Sequence, residues 1–268
     1  MRKLVLVLQM VMVCALAQAQ EGPGTEWSSL KLTLTSLKNW GTKHYSYSAA
    51  EPGGKVTNII GTITVSTELT EDAIVLRDSF QMTYRGERLS LEMVHTCRKD
   101  NFLSPTRIDS KGEGSDEVAT FVATITKGKA TVRSQDGRKT TRDIPDGAIT
   151  MAAMMRLVTL VPRTPGNTYS YKYSLESEEL NLKENYRLIV LHPETITSGN
   201  QQVKCSKFQL TGGGIHPAYY WVTEDGVLQR VLIDDRKVME RVRIRRFMKA
   251  IIRPGAGPDS EVRSTGHG

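Results

Sequence analysis

The stretch IVLRDSFQMTYRGERLSLEMVHTC, residues 74–97, decides how this chain folds. Ile74, Leu76, Phe80, Met82 and Tyr84 recur at every second position, and only Asp78 interrupts the row. A period of two is that of an extended strand with one apolar face. Arg85-Gly86 turns the chain, and Leu89, Leu91, Met93, His95 and Cys97 take up the same alternation. The segment reads as a long antiparallel hairpin.

Outward from it the pattern persists from about residue 30 to 245. Ala119, Phe121, Ala123 and Ile125 alternate before the turn at 127–129. QDGR at 135–138 and EDG at 224–226 are further turn signals. A turn every ten residues or so is the punctuation of an all-β sheet or barrel. One segment departs from it: in DGAITMAAMMRLVTLVP, 146–162, residues Met151, Met154, Met155 and Val158 fall at helical spacing before Pro162 stops the run. The expected fold is mainly β: a large curved antiparallel sheet, a half-open β-barrel, covered by one helix near residues 147–161.

The N-terminus, MRKLVLVLQMVMVCALAQAQ, has the basic, apolar and small-residue regions of a cleaved secretory signal over residues 1–19. A flexible lead-in is expected at 20–29, a single β-rich domain at 30–252 and a disordered tail at 253–268. The mature protein is expected in the periplasm or secreted. Formal charge is +7 and falls to +5 once Arg2 and Lys3 leave. That mild excess does not describe a dedicated nucleic-acid binder.

Catalytic signatures are lacking: there is no G-x-S-x-G elbow, no H-E-x-x-H, no Walker A loop and no C-x-x-C pair. His95 and Cys97 share a strand face, and with Cys205 and His216 they form the one grouping that suggests a metal-dependent enzyme. Sites of that kind show compact paired spacings, and the second pair is split by ten residues. Neither metal, cofactor nor catalytic residue is therefore expected. Cys97 and Cys205 allow two readings, a disulfide closing a loop of about a hundred residues or two buried thiols on separate strands. TGGGIHP, 211–217, leads into the extended AYYWV and not into a helix, so its glycines serve backbone freedom and not an anion cradle. In the basic run 236–253, strand alternation sets Arg241, Arg243 and Arg245 on one face. That stripe reads as a solvated edge or as a contact with an anionic envelope surface.

The order of features from about 146 to 242 resembles an uncharacterised group of secreted bacterial domains of unknown function. The residues that carry the resemblance are RLVTLVPRTPGNTY at 156–169, HPETITSGNQQVKCSKFQL at 192–210 and AYYWVTEDGVLQRVLI at 218–233. In layout that group is similar to the periplasmic lipoprotein carriers of the LolA and LolB type. The resemblance implies an incomplete barrel with a helix over its open side, and an acyl chain or other apolar ligand in the concave face. The lining expected here is Phe80, Met82, Leu91 and Met93 together with Met151, Met154 and Met155. The competing expectation is that these side chains fill the interior and that an interaction surface does the work.

Overall fold

Alternation of apolar and polar residues is realised as strand along most of the chain in the computed structural model, which describes residues 24–50, 56–84, 87–114, 120–176, 180–233 and 237–241. The signal peptide expected at 1–19, the tail at 253–268, and Arg243 and Arg245 lie outside the described residues.

Before the helix come β1 (Thr25–Glu26), β2 (Thr42–Ala50), β3 (Val56–Leu69), β4 (Ile74–Tyr84), β5 (Glu87–Cys97), β6 (Pro105–Glu113), β7 (Phe121–Thr126), β8 (Lys129–Ser134) and β9 (Lys139–Asp143). β10 (Ile149–Thr150) leads into α1 (Met151–Leu157). After it come β11 (Thr168–Glu176), β12 (Asn181–Val190), β13 (Glu194–Ser198), β14 (Gln201–Gly212), β15 (Ile215–Thr223), β16 (Leu228–Ile233) and β17 (Lys237–Arg241).

Among the described residues these strands form one sheet built from two antiparallel meanders, β2 to β9 and β11 to β17. They are joined where β17 pairs with β2, Met239 opposite Tyr47 and Arg241 opposite Tyr45. β1 and β10 add to the free side of β11 in parallel. The sheet then curls on itself. Ile108, Phe121, Ala123 and Ala130 of β6 to β8 share a buried cluster with Leu175 of β11 and with Leu180, from the opposite end of the strand order. Arg142 of β9 also donates to the Asn181 side chain of β12 at 3.2 Å. Side chains, not a backbone ladder, bridge the gap, so the barrel stays half open.

The main core joins inward residues of β2 to β5, β11, β12 and β14 to β17 with α1 and with Trp27, Leu30, Leu37 and Trp40, so the lead-in expected to be flexible at 20–29 is packed from Trp27 onward. α1 is shorter than its sequence pattern suggests, because the ladder to β11 holds Ile149 and Thr150 extended. Thr150 then caps the helix, its hydroxyl accepting from the Ala153 amide at 3.1 Å. No helix among the described residues is long and apolar enough to cross a membrane.

Cys97 and Cys205 are both free and buried. Cys97 lies in the main core inside the curl, whereas Cys205 packs with Ile196, Trp221 and Leu232 on the other face of the sheet. A disulfide is therefore out of reach, and of the two readings the separate thiols are the one realised. The glycine loop has a use beyond freedom of turn. Gly212, Gly213 and Gly214 all take positive φ, and a methyl at Gly213 would overlap the phenol of Tyr186. Tyr186 stacks on Tyr171, ring centroids 5.3 Å apart and planes 12° from parallel. Gly213→Ala is expected to displace that ring and to lower unfolding free energy by about 1–3 kcal/mol. Urea denaturation checks it, and an unchanged midpoint would show that Tyr186 is free to yield.

Candidate functional site

Asp78 is the residue that breaks the apolar row of β4, and the interior is arranged around its partner. The side chain of Asp78 is 4% exposed and that of Arg156, on α1, is 0% exposed; Arg156 Nη2 lies 2.6 Å from Asp78 Oδ1. The guanidinium is matched on every nitrogen. Nε donates to Thr67 Oγ1 at 3.2 Å, Nη1 to the Ala152 carbonyl at 3.0 Å, and Nη2 also to the Ser66 carbonyl at 2.9 Å. Its plane centre lies 4.8 Å from the Trp40 ring centroid. A buried ion pair is tolerated only when such hydrogen bonds replace the lost water.

The same register brings His95 beside the pair. Cross-strand partners share a face of the sheet, and Leu76 pairs with His95, Asp78 with Met93, Ile74 with Cys97. His95 is fully buried, and neither ring nitrogen has a hydrogen-bond partner among the described residues. Burial pushes its imidazole down to about 4; the field of Asp78 opposes that shift and Arg156 adds to it. Burial pushes the Cys97 thiol up to about 12, so it is held neutral and unreactive. The Tyr45 phenol, which donates to the Leu228 carbonyl at 3.1 Å, is pushed up by burial as well.

These groups sit at the capped end of the curl. There Trp27 Nε1 donates to the Asn101 carbonyl at 2.8 Å, the Asn101 amide donates to the Leu30 carbonyl, and Arg163 on the chain after α1 donates to the Thr223 and Glu224 carbonyls at 2.6 and 2.7 Å. Toward the other end the inward rows change character. Tyr45, Ile63, Val65, Leu76 and Cys97 are buried, but Tyr47, Phe80, Met82, Leu89 and Leu91 are only half-buried. They are contiguous: Phe80 pairs with Leu91 and Met82 with Leu89, while Tyr47 lies across Gly61 from Met82. A rim of half-buried apolar side chains, here termed the mouth of the curl, thus follows a buried, capped core.

Of the residues expected to line a ligand site, Phe80, Met82 and Leu91 meet at this mouth, and Met93 lies one row deeper, buried. Met154 and Met155 are core filler under the cap. Met151 is 38% exposed, its sulfur accepting from the Tyr220 hydroxyl at 3.2 Å. Arg241 does not belong to an outward stripe. It pairs with Tyr45, a core residue, so both side chains leave the sheet on the inward face. His95 and Cys97 share that inward face while Cys205 is on the other, and among the described residues no three His, Cys, Asp or Glu side chains gather as metal ligands. The pair that organises the interior escaped sequence reasoning. Its one signal was Asp78 itself, a carboxylate in an otherwise apolar row.

No family model matches the chain, and no curated protein matches it in sequence. Among solved structures it is similar to a beta-barrel-like protein of a domain of unknown function from Brucella abortus, at 8% identity with a TM-score of 0.48. The match covers 75% of this chain and 95% of that one.

Removing Asp78 alone strands a buried cation. Asp78→Ala is expected to cost about 3–5 kcal/mol in urea denaturation, and the double variant Asp78→Leu, Arg156→Met to recover most of that loss. A single-variant cost under about 1 kcal/mol would mean that water reaches Arg156. The pH dependence has a definite sign. Between 6.5, the ordinary histidine value, and about 4, the unfolded chain binds a proton that folded His95 refuses. Stability is therefore whole above 6.5 and falls by on the order of 2–3 kcal/mol as pH drops to 4. His95→Leu should flatten that segment of the profile, and an equally steep profile in the variant would assign it to other groups.

Proposed function

We propose that this protein is a non-enzymatic, secreted or periplasmic β-barrel-like protein that binds an apolar, lipid-like ligand at the open mouth of its curled sheet. The observation that carries this reading is the contiguous patch of half-buried Tyr47, Phe80, Met82, Leu89 and Leu91, set above an interior already filled by core. Apolar side chains left half in water on a concave wall are stabilised by an apolar guest, at roughly 25 cal/mol for each Å² covered. The patch holds Phe80, Met82 and Leu91, three of the residues that the strand pattern of the sequence offers as the lining of such a site. Docking on an anionic surface through the last strand finds less support, since Arg241 lies on the inward face.

Native mass spectrometry of protein purified from its own envelope is expected to reveal co-purifying lipid. A fluorescent fatty-acyl probe should bind, and Leu91→Glu or Phe80→Asp should weaken it at least about tenfold, the scale of 1.4 kcal/mol. Absence of probe binding by folded wild-type protein would overturn the proposal.

A further inference from the structure

The capped end carries a titratable group that ligand binding at the mouth does not use. His95 is buried, with both ring nitrogens unpartnered among the described residues, next to the ion pair that ties α1 to the sheet. We propose that His95 is an acid-sensitive latch for the cap: a proton taken up by its imidazole places a second cation beside Arg156, loosens Arg156 from Asp78 and lets α1 lift from β3 and β4.

The charges around the imidazole are few and come from identifiable elements. β4 contributes Asp78 and α1 contributes Arg156. On β5 itself the nearest titratable neighbour is Cys97, held neutral, and across on β6 stands apolar Ile108. Tyr45 on β2 lies in the field of Arg156, of Arg241 on β17 and of Asp78, and stays a neutral phenol. With neutral His95 the group sums to zero, one guanidinium against one carboxylate. With charged His95 it carries a net positive charge where water is excluded, and one carboxylate cannot serve two cations as well as it serves one.

Opening relieves that conflict by moving one short element, at the cost of exposing Ala153, Met154, Met155 and Leu157. α1 is only seven residues long and has little stability of its own. Lifting it hydrates His95, Arg156 and Asp78 together and leaves the strand ladders intact. Burial also holds the imidazole down to about 4 in the closed state. Once the imidazole is wetted its ordinary value returns, so acid below about 6.5 favours the open cap by up to tenfold per pH unit. The latch belongs to the cap and works whether or not the mouth holds a ligand.

Cys97 and Cys205 make the test. Cys97 is two residues from His95 on the same inward face, whereas Cys205 is buried on the opposite face of the sheet. Full-length protein is treated with 4,4′-dithiodipyridine, which reacts with thiols in acid, at pH 7.0 and at pH 4.5, and each site is followed by peptide mass spectrometry. The latch predicts that the labelling rate of Cys97 relative to Cys205 rises at least about tenfold in acid. It also predicts that the rise disappears in His95→Gln and His95→Asn. Equal acceleration at both cysteines would mean global unfolding and would overturn the latch, as would an unchanged ratio in wild type. A full rise in folded His95→Gln would overturn it too, by assigning the opening to a group other than His95.

Discussion

A guanidinium sealed from water has to be met by acceptors in fixed places, and the interior of this protein is laid out to meet Arg156. Its acceptors come from the end of β3, the middle of β4 and the first turn of its own helix. Trp40 covers its face. Through that single side chain the helix, the N-terminal segment and the β3–β4 hairpin are held in one arrangement. A helix of seven residues would not form alone; the capping threonine, the buried Ala152, Ala153, Met154, Met155 and Leu157, and the ion pair together give it a place.

That anchoring also decides which end of the curl is filled. The cap drives the inward residues near Ile74, Leu76 and Cys97 out of water, but it does not reach the rows of Phe80, Met82, Leu89 and Leu91. The half-buried mouth and the closed end are two outcomes of one asymmetry. Leaving the sheet open at β9 and β11, with side chains bridging the gap, has a related effect. The curl is fixed by packing and not by ladder hydrogen bonds, so it is free to be wide at the mouth and tight at the cap.

The strand architecture was legible in the sequence because a period of two is a local property, read a few residues at a time. The hairpin strands at 74–97 and the turns at 127–128 and 224–226 appear where alternation placed them, and the helix falls within the segment read for it. What alternation could not supply is which face points inward, since that depends on a partner strand distant in sequence. Arg241 was set outward for this reason; its pairing with Tyr45 turns it in. Cys97 and Cys205 fell on opposite faces for the same reason. The helix boundary was overrun because Ile149 and Thr150, inside the segment read as helical, are captured by a parallel ladder to β11. Asp78 was visible only as an exception to its row. Its meaning lay in Arg156, seventy-eight residues on, within a segment read for its methionines.

The cap is held to the sheet by the buried Arg156–Asp78 pair together with the apolar face of α1, while the strands hold one another. Amide hydrogen exchange at pH 7 in wild type and in Asp78→Asn measures this most directly. The expected result is that residues 151–157 lose most of their protection in the variant while β12, β14 and β15 keep theirs. A uniform loss across helix and strands, or an α1 as protected as in wild type, would contradict it.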